Sequence, residues 1–213
     1  MKYREILLEQ LKTLPYFSKK TIHQLSEQYG LKSTTVDSYI SRSLKYKDII
    51  SLKNGVYVTA DFYDKNKNDI SYSFYLANIL RTPSYISSWT ALQHYNLTTE
   101  AIHTVISITP KVTRSYETKA GNFVYQNLKK NLFSNFVSVK GKPELPTNKF
   151  DFFIATPSKA LFDLLYLKTR QFRGVNFENI KPLIEELRID LDEMNQTEQD
   201  NLFSMIKNYL RYE

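Results

Sequence analysis

The chain has 213 residues, with 29 Lys and Arg against 22 Asp and Glu, a formal net charge of +7 and no Cys. That length suits one large domain or two modest ones, each able to bury a core, and the charge suits a polyanionic partner. The lack of Cys excludes disulfides, thiolate chemistry and Cys-based zinc sites. No apolar run approaches the ~18 residues of a membrane span, and no signal-peptide pattern opens the chain, so a cytoplasmic protein is expected. Positive charge belongs to the first two thirds: residues 1–65 carry +4, residues 66–149 carry +6 and residues 150–213 carry −3.

Tyr3, Ile6, Leu7, Leu11 and Leu14 recur at helical spacing and predict a first helix that Pro15 ends. Ser18 is placed to cap a second helix carrying Ile22, Leu25 and Tyr29, with Gly30 supplying the left-handed residue at its end. After Leu31 and Lys32, Ser33 is expected to cap a third helix, with Val36, Tyr39, Ile40 and Leu44 on its buried face. Its other face holds Thr35, Ser38, Arg42 and Lys45, polar at its start and basic at its end. Such a stripe can meet base edges and phosphates in a major groove. Ile49 to Leu52 and Val56 to Thr59, joined through Lys53, Asn54 and Gly55, read as a hairpin in which both turn residues take positive φ. Together these pieces read as a winged helix-turn-helix over residues 1–65. The DNA-contacting set is Ser33, Thr34, Thr35, Ser38, Arg42 and Lys45 on the third helix, with Lys53 and Asn54 on the wing. A helical domain or a protein-binding winged helix would carry the same pattern without touching DNA.

Asp61 to Asn68 is polar and aperiodic and marks the expected domain boundary near residue 65. The remainder, 66–213, reads as an α+β domain with a small sheet and flanking helices. A helix starting at Asp69 or Ser71 carries Ile70, Phe74, Ile79 and Leu80. A second, capped by Ser87 or Ser88, carries Trp89, Leu92 and Tyr95, and its Trp reads as core. Strands are expected over 103–109, 122–128, 132–140 and 150–155. Lys111, Arg114, Lys119, Lys129, Lys130, Lys140 and Lys142 punctuate them, either as charged protection of strand edges or as a second basic face. Thr156 and Pro157 open an apolar helix, on which Lys159 and Asp163 stand one turn apart as an expected surface pair worth a few tenths of a kcal/mol. Two amphipathic helices follow, on Ile180, Leu183, Ile184 and Leu187 and on Leu202, Phe203, Ile206, Tyr209 and Leu210. Glu185, Glu186, Asp190, Asp192 and Glu193 read as a solvated acidic cluster.

This order of pieces resembles the antitoxins of AbiE-type abortive-infection systems, the type IV toxin-antitoxin class. The resemblance rests on the wing Asn54-Gly55-Val56-Tyr57 and the run Ser87-Ser88-Trp89-Thr90-Ala91-Leu92-Gln93-His94-Tyr95. It rests further on Ile108-Thr109-Pro110 followed by Arg114, and above all on Ala155-Thr156-Pro157-Ser158-Lys159-Ala160-Leu161-Phe162-Asp163. Ser158 stands where the family usually carries Glu, and Asn54 where its wing commonly carries Arg. The resemblance implies a winged-helix regulator that represses its own promoter by binding inverted-repeat DNA. It also implies counteraction of a co-encoded nucleotidyltransferase toxin without a stable complex. Arg114, Lys159 and Asp163 are then the matching polar positions of the antitoxin domain, and a purely structural role for them stays open.

Catalytic patterns are sparse. His23, His94 and His103 form no HExxH or other metal-ligand spacing, and no glycine-rich phosphate loop or serine-nucleophile motif occurs. No metal site, cofactor or catalytic residue is expected. Glu117-Thr118-Lys119 matches half of a Mg²⁺-dependent nuclease core, which would need a further acid; Glu100 is the one acid between Asp69 and Glu117, and it falls in a loop. A winged-helix regulator with an unrelated sensory domain is the main alternative, and a nuclease-like enzyme the remote one.

Overall fold

Leu7 and Leu11 anchor the first helix, α1 (Lys2–Leu11), in the computed structural model, which describes residues 2–141 and 150–211. Lys142 lies outside the described residues. A two-residue strand β1 (Phe17–Ser18) leads into α2 (Lys19–Glu27). Ser18 caps α2 reciprocally: Thr21 N–H donates to Ser18 Oγ at 3.1 Å and Ser18 N–H to Thr21 Oγ1 at 3.2 Å, which satisfies two otherwise orphaned donors. Gly30, at φ +61°, turns the chain after this helix.

The third helix, α3 (Ser33–Lys45), departs from expectation at its start. Lys32 is its N-cap and makes no side-chain cap bond, while Ser33 is the first helical residue and its hydroxyl lies 3.4 Å from His23 Nδ1. On the inner face Val36 and Ile40 are buried as expected, but Ser43 takes the inward place given to Leu44, which is 36% exposed. At 3.6 residues per turn position 43 falls about 20° from Val36 around the helix, whereas position 44 falls about 80° away and so lies off the packed stripe.

Strands β2 (Ile49–Lys53) and β3 (Val56–Thr59) form the expected hairpin, with a register slip between Ser51 and Lys53. Gly55 alone takes positive φ at the turn (+75°), and Asn54 does not. The bulge supplies the twist that a second left-handed residue would otherwise provide. β1 adds to the far side of β3, pairing Phe17 with Tyr57.

The stretch expected as a boundary loop is a helix, α4 (Ala60–Asn66), capped by Thr59 Oγ1, which accepts from Phe62 N–H at 3.2 Å. Its buried positions Phe62 and Asn66 are one turn apart, and the remaining charged residues form the solvated side. α5 (Ile70–Leu80) follows, capped by Asp69, whose carboxylate accepts from Ser71 N–H at 2.8 Å.

The rest of the chain runs β4 (Tyr85–Ile86), α6 (Ser88–His94), β5 (Thr104–Thr109), β6 (Arg114–Thr118), β7 (Gly121–Asn127), a 3₁₀ turn at Lys130–Leu132, β8 (Phe136–Val139) and β9 (Phe152–Ala155). It closes with α7 (Pro157–Lys168), a 3₁₀ turn at Phe177–Asn179, α8 (Ile180–Glu186) and α9 (Gln196–Arg211). Six strands form one sheet in the order β6-β7-β5-β4-β9-β8. Two pairings are parallel, β5 with β7 (Thr104 opposite Asn122 through Thr109 opposite Asn127) and β4 with β9 (Ile86 opposite Ile154). The sheet is larger than expected because β4 and β6 also join it. The protein is thus a mixed α+β structure.

Among the described residues the buried apolar side chains fall into two clusters. The smaller joins Leu11, Phe17, Ile22, Val36, Ile40, Ile49 and Tyr57; the larger begins with Leu52, Val58 and Phe62 and runs through the sheet to α9. The β2–β3 hairpin therefore contributes to both cores. Trp89 is partly buried at the margin of the larger core. Phe62 lies deeper, its ring 5.6 Å from that of Tyr72 and 6.3 Å from that of Phe150. Phe62→Ala is expected to destabilise the protein by about 3–5 kcal/mol, read from urea unfolding; a loss below about 1 kcal/mol would show that α4 is not held by this ring.

Candidate nucleic-acid interface and a buried ion pair

The outer side of α3 is built from small polar residues and two cations. Ser33, Thr34, Ser38, Ser41, Arg42 and Lys45 are exposed, while Thr35 is half-buried. Ser41 was not among the expected contacts, although it lies three residues after Ser38 and shares its stripe. Ser38 Oγ donates back to Thr34 carbonyl at 2.9 Å, so its hydroxyl keeps only acceptor capacity toward a ligand. Arg42 and Lys45 occupy the last turn, where a positive charge also complements the helix dipole.

One acid interrupts this face. Asp37 would repel a phosphate, but its Oδ1 sits 2.9 Å from Lys19 Nζ and 2.9 Å from His23 Nε2. A carboxylate can only accept, so His23 Nε2 is the donor in that contact, and Nδ1 faces the Ser33 hydroxyl. The Lys19 hydrogen bond, opposed by partial desolvation and aided by His23, holds the Asp37 carboxyl below its ordinary range. The trio ties the start of α2 to the middle of α3 and cancels the charge of Asp37.

The hairpin turn lies beside the same end of α2, because Lys19 N–H donates to Gly55 carbonyl at 2.8 Å. Asn54 is exposed at its tip. Lys53 is directed elsewhere: its ammonium donates to the Leu80 carbonyl at 2.8 Å, linking the hairpin to the end of α5. Of the two residues expected to contact DNA from the wing, only Asn54 is available on this surface.

Arg114, Lys159 and Asp163 are not brought together. Arg114 begins β6, exposed at one edge of the six-stranded sheet and three strands away from β4. Lys159 and Asp163 are 1% and 0% exposed, which overturns the expected surface pair. Lys159 Nζ lies 2.7 Å from Asp163 Oδ1 and donates to Leu132 carbonyl at 2.7 Å. Asp163 Oδ2 accepts from Tyr85 OH at 2.9 Å and Ser87 Oγ at 2.8 Å. Burial pushes the Asp163 carboxyl upward, while Lys159 and the two hydroxyls pull it down, and burial has the larger effect. The physical reason for the misreading is simple: an i,i+4 charge pair has the same spacing on either side of a helix, and the partners that bury this one come from β4 and a distant turn.

α7 itself begins as expected, with Thr156 as cap and Pro157 at its first position. Ser158 N–H donates to Glu198 Oε2 of α9 at 2.8 Å, placing a carboxylate at the positive end of the helix. Glu185, Glu186, Asp190, Asp192 and Glu193 are exposed as expected. Among the described residues no group of three or more His, Asp or Glu side chains is arranged to hold a metal, and no helix is long and apolar enough to cross a membrane. No protein-family model matches the chain, and no curated protein matches it.

Removing one member of the buried pair leaves the other charge without its counterion. Asp163→Asn is expected to cost about 3–5 kcal/mol, and the double change Lys159→Met with Asp163→Leu markedly less than the two single losses added together. A double-mutant cycle in urea measures this coupling; strict additivity would show that the pair does not act as a unit.

Proposed function

We propose that the protein is a winged helix-turn-helix DNA-binding repressor whose C-terminal α+β part serves as a type IV antitoxin. The observation that carries the DNA-binding reading is the outer face of α3. It is small and polar through Thr34, Ser38 and Ser41, ends in Arg42 and Lys45, and has its single acid neutralised by Lys19 and His23. Side chains of this size admit close approach to base edges, and the terminal cations suit flanking phosphates. Asn54 at the hairpin tip would lie against the backbone beside the groove, as wings do.

The antitoxic role rests on the resemblance of the Ala155 to Asp163 run to AbiE-type antitoxins. Its partner would be a nucleotidyltransferase toxin, counteracted without a stable complex. The family's usual Glu before this Lys is Ser158 here, and Glu198 brings a carboxylate to the same helix terminus from α9. Glu198 thus supplies from α9 a carboxylate at the helix start that Ser158 itself lacks. Asp163 and Lys159, being buried, would support the antitoxin surface rather than touch a partner.

Gel-shift and footprinting on the DNA upstream of the protein's own gene, against a scrambled duplex at ~150 mM salt, test the first part. Protection of paired half-sites is expected. Arg42→Ala should reduce the log–log salt slope by up to about 1 if it contacts one phosphate. Lys53→Ala should leave the slope unchanged and lower stability, because its ammonium is held by Leu80. Absence of specific protection would remove the repressor reading. Co-expression with a neighbouring nucleotidyltransferase tests the antitoxin, which should restore growth.

A further inference from the structure

Three cations gather at the C-terminal end of α5. Lys53 Nζ donates to the Leu80 carbonyl, Arg81 Nη2 to the Val112 carbonyl, and Lys111 Nζ to the Thr82 carbonyl at 2.6 Å. A helix C-terminus is the negative end of its dipole and favours such company, so these bonds fix where the cations stand. They do not neutralise them. Among the described residues none of the three forms an ion pair with a carboxylate, and neither does Arg114, two residues beyond Val112.

These cations differ in what they can offer outward. Lys53 is half-buried and its bond to Leu80 is partly buried, whereas Lys111 and Arg114 are exposed. An ammonium has three N–H donors, so Lys111 keeps two beyond its bond to Thr82. Arg81 makes one bond, and its Nε is buried with no partner, so the protein satisfies little of its guanidinium. The turn that carries Lys111 is held on both sides: Thr109 Oγ1 donates to the Pro83 carbonyl at 2.8 Å, and Asn127 Nδ2 to the Lys111 carbonyl at 2.9 Å. Arg114 opens β6, opposite Tyr125 in the ladder with β7. Glu117, the acid of that strand, falls on its other face, because successive side chains alternate.

A chain of direct contacts joins this patch to α3. Asp37 on α3 pairs with Lys19, Lys19 N–H donates to the Gly55 carbonyl of the hairpin turn, Lys53 beside that turn reaches Leu80, and Arg81 next to Leu80 reaches Val112. β6 itself packs against β2 of the hairpin. A DNA duplex is stiff over roughly 150 bp, so one seated on α3 and the hairpin tip runs on past the hairpin, with about one negative charge per 1.7 Å of its axis. We infer that Lys111 and Arg114 contact backbone phosphates of the operator beyond the hairpin, with Arg81 adding to the positive potential there. The inference rests on the DNA-binding reading of α3, and it gives the C-terminal part of the chain a share of that interface. An acidic protein would match the charge but has no need of the continuity with α3 and the hairpin.

The test is a titration of operator binding by the full-length protein between about 50 and 200 mM salt, with hydroxyl-radical footprinting alongside. Lys111→Gln and Arg114→Gln are each expected to reduce the log–log slope by about 0.9, and the double variant by about twice that, one phosphate contact being lost per cation. The footprint of the double variant should shorten on the hairpin side while the protection given by α3 persists. Arg114→Lys keeps the charge and should keep the slope. Lys207→Gln makes the same charge change on α9 and should leave slope and footprint unchanged. Should the double variant melt below the wild-type Tm, the single variants carry the same test at their exposed positions. Unchanged slope and footprint in well-folded variants would overturn the inference while leaving the α3 reading intact, and this is the outcome expected of a patch that serves an acidic protein. An equal loss of slope in Lys207→Gln would overturn it too, as an effect of net charge alone. A wild-type protein that protects no half-site removes the repressor reading and this inference with it.

Discussion

The Lys159–Asp163 pair is the interaction on which the C-terminal part of the protein most depends. Two charges with 1% and 0% exposure cannot persist singly in such surroundings, so α7 can dock only where Tyr85, Ser87 and the Leu132 carbonyl are all within reach. That requirement is valuable because β4 is two residues long. A strand that short has few ladder bonds to define its position, yet it sits mid-sheet, antiparallel to β5 and parallel to β9. Hydroxyls from β4 and the residue after it, both satisfied by one carboxylate, fix the strand where backbone pairing alone would leave it free to slip. A pair of this kind contributes less to net stability than to selecting one arrangement among compact alternatives, and the double-apolar variant separates those two effects.

The β2–β3 hairpin has a comparable role between the two cores. Ile49 and Tyr57 face the helical cluster, while Leu52 and Val58 face the larger one. Lys53 adds a bond to the end of α5, and Tyr72 OH donates back to the Pro15 carbonyl at 2.8 Å. The helical unit is thereby held to the sheet by buried apolar area and by two hydrogen bonds that cross in opposite directions along the chain. A hairpin lysine whose ammonium is tied to the Leu80 carbonyl is directed away from an external phosphate, so the proposed interface relies more on α3 than a reading of the hairpin sequence suggests.

What was legible in the sequence was local. Ser18, Gly30, Asp69 and Thr156 with Pro157 announce helix ends through groups within a few residues of each other, and the structure places caps or turns at each. The hairpin was visible for the same reason. Features decided over long separations were not: β6, with its Arg-Ser-Tyr-Glu-Thr composition, becomes a strand only because β7 pairs with it, and the parallel β5–β7 ladder has no local signature. α4 was misread because its apolar content is nearly one Phe, whose worth depends on Tyr72 and Phe150. On α3 the stripe of small hydroxyls was legible from periodicity, but the neutralisation of Asp37 was not, since it needs α2 to cross at a particular angle.

Charge distribution makes the same point from a different side. The C-terminal third carries a net −3, and composition alone would disqualify it as a home for an anion. Its acids collect instead at 185–193, away from the C-terminal half of α9, where Lys207 and Arg211 stand without an intervening acid among the described residues. The cleft between the turn after β7, α7 and α9 takes Lys129 from that turn. Its three amides come from positions 131, 135 and 208, and no sequence window contains them together. Folding α9 against α7 creates the cleft, and the buried pair that fixes α7 supplies its floor.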